Sequence, residues 1–214
     1  MDQPASVVPP PYAAFDIVAI AASLGGIDAA GQLLSAIPPD FPAVITLVQH
    51  MGPRSTGVVP RILARSSNLP VSHAQPDESL LPGRVYVAPP DHHFFISRTG
   101  RASLLRSPLV KFTRPAADPL LVSAALCHGP RTLGVVLTGS GTDGAAGVQA
   151  IKWAGGMVLA QDQASCRAFA MPRAAIATGC VDMVLPIDVM GRAIVALVMA
   201  RGAADFLRVP LQAA

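Results

Sequence analysis

A serine, a histidine and an aspartate stand just past the ends of three strand-like apolar runs in this chain. Those residue types are the inventory for acyl transfer: nucleophile, general base and base-orienting carboxylate. The first run, Asp16 to Ala21, leads through Ala22 to Ser23, and Leu24, Gly25, Gly26 and a helical pattern follow at once. The second, Ala43 to Val48, ends at Gln49-His50. The third, Thr132 to Leu137, ends in Thr138-Gly139-Ser140-Gly141-Thr142-Asp143-Gly144. In open α/β sheets ligands bind outside the carboxyl ends of the strands, so one rim would gather all three residues.

Each of the three also has a plainer reading. Ala21-x-Ser23-x-x-Gly26 imitates a dinucleotide-binding turn, but both leading glycines are missing and His50 occupies the place of the ribose-binding acid. His50 taken alone is a polar loop residue, and Asp143-Gly144 is a common turn pair. Asp91-His92-His93 hints at a metal, yet no second cluster at ligand spacing accompanies it, so no metal or cofactor is expected. His73, in a short strand, and His128, closing a helix, are weaker candidates.

The elements that must position these residues alternate along the chain. Helical patterns run over Ile27 to Ala36, Gly57 to Ala64, Leu120 to Cys127, Ala145 to Ala154, Pro172 to Ala177 and Val189 to Arg201. Between them lie further strand-like runs at Val71 to Ala74, Met157 to Ala160 and Val181 to Leu185. Three short runs in the middle, Arg84 to Ala88, Phe94 to Ser97 and Arg101 to Leu105, are separated by turn residues and read as an antiparallel ribbon. The fold class is therefore α/β: a doubly wound, mostly parallel sheet with helices on both faces and an inserted antiparallel β ribbon.

Composition narrows the function classes. Of 214 residues, 51% are hydrophobic and 14% charged, which suits one domain with a large core. Aromatic residues are only 5%, so aliphatic side chains must fill that core. A net charge of +3, with no basic cluster interleaved with aromatics, gives no footprint for nucleic acid. No apolar run approaches the roughly 18 residues of a membrane span, and residues 1–11 lack a signal-peptide pattern. Cys127, Cys166 and Cys180 are odd in number and unpaired in spacing, as for thiols in a reducing cytoplasm.

Longer motifs then make a resemblance visible. They are Leu47-Val48-Gln49-His50-Met51, the run Val85 to His93, the run Val136 to Gly147, Gly155-Gly156 with Ala160-Gln161-Asp162, Ala170-Met171-Pro172-Arg173, and Val181-Asp182. With the Ser-x-Gly-Gly turn, and in this order from about Asp16 to Val198, they resemble the catalytic domain of the bacterial chemotaxis protein-glutamate methylesterases (CheB type). The resemblance implies Ser23 as nucleophile, His50 as base and Asp143 as orienting acid, with the backbone N–H groups of Ser140 and Leu24 as the oxyanion hole. It implies hydrolysis of glutamate methyl esters, and in many members glutamine deamidation, on the cytoplasmic helical bundle of methyl-accepting chemoreceptors.

Four positions depart from the family pattern: Leu24 for Thr or Ala, Ser140 for Met, Ala116 for Ser, and Arg167 where a small or apolar residue is usual. They keep open a carboxylesterase with a non-receptor substrate, or a catalytically silent receptor-binding module. The expected organisation is a flexible tail over 1–14, a catalytic domain over 15–203 and a second tail over 204–214. The family's usual amino-terminal receiver domain has no counterpart in the roughly fifteen residues before the first strand, so either a stand-alone esterase or a segment of a longer protein is expected.

Overall fold

The central strand shows how the sequence builds the sheet. In β1 (Ile17–Ala22), Val18, Ile20 and Ala22 enter one apolar core, while Ile17, Ala19 and Ala21 enter another. Successive residues of a strand face opposite sides, so a strand covered on both faces reads as one continuous apolar run. The structure, a computed structural model, describes residues 13–199. The tail expected over 204–214 lies outside them, as does all but the last two residues of that expected over 1–14.

The other elements follow as α1 (Gly26–Ser35), β2 (Val44–Gln49), α2 (Val59–Leu63), β3 (Val71–His73), β4 (Val85–Val87), β5 (His93–Ile96) and β6 (Ala102–Leu105). Then come α3 (Ala117–His128), β7 (Thr132–Val136), α4 (Ala145–Trp153), β8 (Met157–Gln161), α5 (Ala170–Ile176), β9 (Met183–Leu185) and α6 (Ile187–Met199). Seven strands form one sheet in the order β3-β4-β2-β1-β7-β8-β9, every pairing parallel. Leu33 of α1, Leu63 of α2 and Ile194 of α6 pack on one face. Leu121 of α3, Ile151 of α4 and Met171 of α5 pack on the other, together with Phe94 of the ribbon β5-β6.

The expected α/β class holds, with one correction inside it. The run around Arg84 to Ala88 is not part of the ribbon: β4 lies between β2 and β3 in the parallel sheet. Val85, Tyr86 and Val87 are all fully buried, as a central strand requires. Two helices also begin earlier than their prolines suggest. Pro119 and Pro172 sit within the first turns of α3 and α5, where a missing N–H breaks no helical bond.

Strand order fixes where a site can form. From β1 the chain adds β2, and later β4 and β3, on one side of the sheet; β7 then returns to pair with the other side of β1. The order reverses between β1 and β7, and their carboxyl ends diverge into helices on opposite faces, opening a crevice.

Candidate active site

Ser23 lies at that crevice, one residue past β1. Its N–H continues the sheet ladder to the Thr138 carbonyl at 3.0 Å, and its carbonyl accepts the Gly26 N–H at 2.8 Å. Gln49 Nε2 donates to the same Ser23 carbonyl at 2.8 Å and to the His50 carbonyl at 3.0 Å, so one buried amide ties the ends of β1 and β2 together. Gly25 takes φ +79° at the start of α1, a left-handed conformation that favours glycine. Gly139 is needed for a different reason: a Cβ there would lie 2.7 Å from Ser23 Cβ and 2.3 Å from Met171 Sδ.

His50 follows β2, its N–H bonded to the Ala22 carbonyl at 2.9 Å. Its side chain is only 9% exposed, and Nε2 meets Asp143 Oδ2 at 2.7 Å. Asp143 is itself 3% exposed and is held by backbone. Oδ2 also accepts the Ala117 N–H, while Oδ1 accepts the N–H groups of Asp118 at 3.1 Å and Gly144 at 2.9 Å. Burial opposes the charge on Asp143. The hydrogen bonds from His50, Ala117 and Asp118, with the attraction of the nearby imidazole, outweigh it and hold the carboxyl below the usual carboxylate range. An ionised Asp143 can only accept, so Nε2 carries the proton of neutral His50 and Nδ1 is left as the basic nitrogen.

Ser23, Leu24, His50, Ile62, Ser140 and Arg167 line one open cavity of about 630 Å³. Among the described residues, neither the Leu24 nor the Ser140 N–H donates a hydrogen bond within the protein. All five site residues read from the sequence therefore gather here: four on the cavity wall and Asp143 behind His50. The hydroxyl of Thr138 donates to the Leu24 carbonyl at 2.9 Å and accepts the Ala168 N–H at 2.9 Å. The Thr138 N–H in turn donates to Gln161 Oε1 at 2.7 Å.

The alternative cluster is committed elsewhere. Asp91 pairs with Arg114 and Arg106, His92 Nδ1 meets the Pro90 carbonyl at 2.9 Å, and His93 bridges the Pro108 carbonyl and the Ala116 N–H. Sequence reasoning missed Thr138, Gln49, Gln161 and the amino end of α3. The available signal was an amide ending each of two apolar strands: Gln49 is 6% exposed and Gln161 fully buried.

Residues 18–194 match the family model described as CheB methylesterase. The chain is 45% identical over 179 residues to protein-glutamate methylesterase/protein-glutamine glutaminase 2 of Anaeromyxobacter dehalogenans, covering 84% of this chain and 52% of the relative. It is 42% identical over 186 residues to protein-glutamate methylesterase FrzG of Myxococcus xanthus, covering 87% and 55%. The chain thus spans about half the length of the curated relatives it matches. Its structure is similar to the crystal structure of the Thermotoga maritima CheB methylesterase catalytic domain, with TM-score 0.83 and 36% identity over 86% of this chain and 99% of that one.

Proposed function

The chain belongs to the CheB methylesterase family, and from that premise we propose that it is a serine hydrolase removing methyl groups from glutamate methyl esters of chemoreceptors. The observation that carries this reading is the 2.7 Å contact of His50 with a buried, backbone-held Asp143, beside a cavity that Ser23 also lines. His50 Nδ1 takes the proton of Ser23 Oγ as that oxygen attacks the ester carbonyl. The N–H groups of Leu24 and Ser140 receive the tetrahedral oxyanion, a role in which one donor is typically worth about 10²–10³ in rate. Collapse expels methanol, protonated by His50, and leaves an acyl-enzyme on Ser23. Water, deprotonated by His50, then frees the glutamate. With ammonia as the leaving group the same steps deamidate glutamine, the second activity in the name of the Anaeromyxobacter relative.

A polypeptide substrate suits the surroundings better than a small ester. His50 also borders a second depression of about 570 Å³, lined by Met51, Pro53, Leu109 and Phe112. Leu109 is 57% exposed and Phe112 95%; such apolar exposure beside a reactive group suits a macromolecular partner. The receptor's cytoplasmic helical bundle is that partner in our reading, and the cytoplasm the place of action. Among the described residues no helix is long and apolar enough to cross a membrane.

The test is methanol release from methylated receptor, read beside labelling of Ser23 by a fluorophosphonate. Wild type should release methanol and label. Ser23→Ala and His50→Ala should lose at least about 10³-fold in turnover, and Asp143→Asn about 10³–10⁴-fold. No release by wild type, or release untouched by Ser23→Ala, would sink the proposal.

A further inference from the structure

Arg167 has no role in the mechanism above, yet it is the single cation lining the Ser23 cavity among the described residues. Its side chain lies along the turn that follows Ser23: a Cβ on Gly25 would stand 2.7 Å from Arg167 Cβ and 3.2 Å from its Cδ. The backbone on which it rides is fixed against the same rim. The Gly139 N–H donates to the Ala168 carbonyl at 2.8 Å, the Ala168 N–H to Thr138 Oγ1 at 2.9 Å, and Gln161 Nε2 to the Ser165 carbonyl at 2.9 Å. The stem is thus positioned, while the guanidinium makes no hydrogen bond or ion pair with any described residue. Asp28, the one acid in the same lining, forms no salt bridge with it.

A guanidinium is always charged and presents five donors in a planar fork that suits carboxylates. Held at the lip of the Ser23 cavity without a partner among the described residues, it is open to pairing with an acidic group on a substrate. We infer that Arg167 is a specificity-determining residue that binds a carboxylate side chain flanking the scissile ester on the substrate polypeptide. The inference rests on ester hydrolysis at Ser23 and names a feature of the substrate that the reaction itself does not require. On a helical substrate, side chains three and four residues away share the face of the ester, so acids at those positions are the ones within reach of the rim.

Two helical peptides test this, each carrying one γ-glutamyl methyl ester and differing only in Glu or Gln three and four residues to either side. The readout is the ratio of kcat/KM for the acidic over the neutral peptide. In wild type the ratio should exceed one and shrink as ionic strength rises from about 0.05 to 0.5 M, because salt screens a partly exposed pair. Arg167→Gln should lower it by about five- to tenfold, and Arg167→Lys should restore part of the loss. A merely structural role, or direct help to the oxyanion, would slow both peptides alike and leave the ratio unchanged, which overturns the inference while ester hydrolysis stands. Absence of Ser23-dependent methanol release from either peptide would instead count against ester hydrolysis and take this inference down with it.

Discussion

The hydroxyl of Thr138 joins three segments of the site: its own strand end, the turn after Ser23 through the Leu24 carbonyl, and the 165–169 loop through the Ala168 N–H. Replacing it with valine keeps the shape and leaves those two backbone groups without their partner. An unmet buried polar group costs about 1–3 kcal/mol; these two are partly buried, so Thr138→Val should lower stability by about 1 kcal/mol in urea unfolding. Ser23 and the Leu24 N–H would lose their fixed relation, and kcat should fall about tenfold or more; Thr138→Ser, which keeps the hydroxyl, should stay near wild type. Equal kcat for the valine and serine variants would exclude this positioning role. Thr138 also marks the limit of what the sequence discloses. Of the candidate site, Ser23 and His50 stand out in the sequence because each directly follows an apolar strand, and Asp143 because it closes the glycine-rich turn after the third. Thr138, Gln49 and Gln161 also end apolar runs, but they meet partners that only folding brings near, so their position marks them without disclosing what they hold.

At the scale of elements, α3 and the loop after β7 depend on each other. Ala116 stands at the N-cap of α3 and offers no side-chain acceptor, so the first N–H groups of the helix turn to the Asp143 carboxylate instead. The positive end of the helix dipole faces a charge it stabilises, and that charge in turn orients His50. Stability and activity should therefore separate. Asp143→Ala removes every acceptor and should cost about 2–3 kcal/mol in denaturant unfolding; Asp143→Asn keeps one oxygen for the helix and should cost about 1 kcal/mol. Both should lose Ser23 labelling: alanine leaves the His50 Nε2 proton without its acceptor, and an asparagine amide favours the wrong imidazole tautomer. Identical unfolding midpoints for both variants and wild type would refute the cap. The start of α3 was masked in the sequence by Pro119 and by an alanine where a capping hydroxyl is expected. The place of β4 was masked by its length: three residues between Pro82-Gly83 and Pro89-Pro90 carry no period long enough to tell a central strand from a ribbon.

Across the whole molecule, the two ends of β1 carry different groups. Ser23 follows its carboxyl end, while Asp16 precedes its amino end and pairs with Arg131 Nη2 at 2.5 Å, with His128 3.7 Å away. Burial works against the Asp16 charge, but the hydrogen bonds and charges of His128 and Arg131 prevail and bring its carboxyl from an ordinary 3.8 to about 2. A carboxylate whose folded value is depressed binds protons more readily when unfolded. Its contribution is therefore complete above about pH 4 and is lost as pH falls toward 2. Arg131 is 43% exposed, and solvent screening reduces the contribution to about 1 kcal/mol. Asp16→Asn should then lower stability by about 1 kcal/mol at pH 7, and the gap to wild type should close between pH 4 and 2 in urea titrations. Because the whole length of β1 separates Asp16 from the crevice, Ser23 labelling at pH 7 should be unchanged in the folded variant. A gap that persisted at pH 2 would mean that Asp16 acts through packing and not through its charge. A loss of labelling would mean that the amino edge of the sheet helps to set the geometry at its carboxyl edge, contrary to the rigid, fully buried strand that joins them.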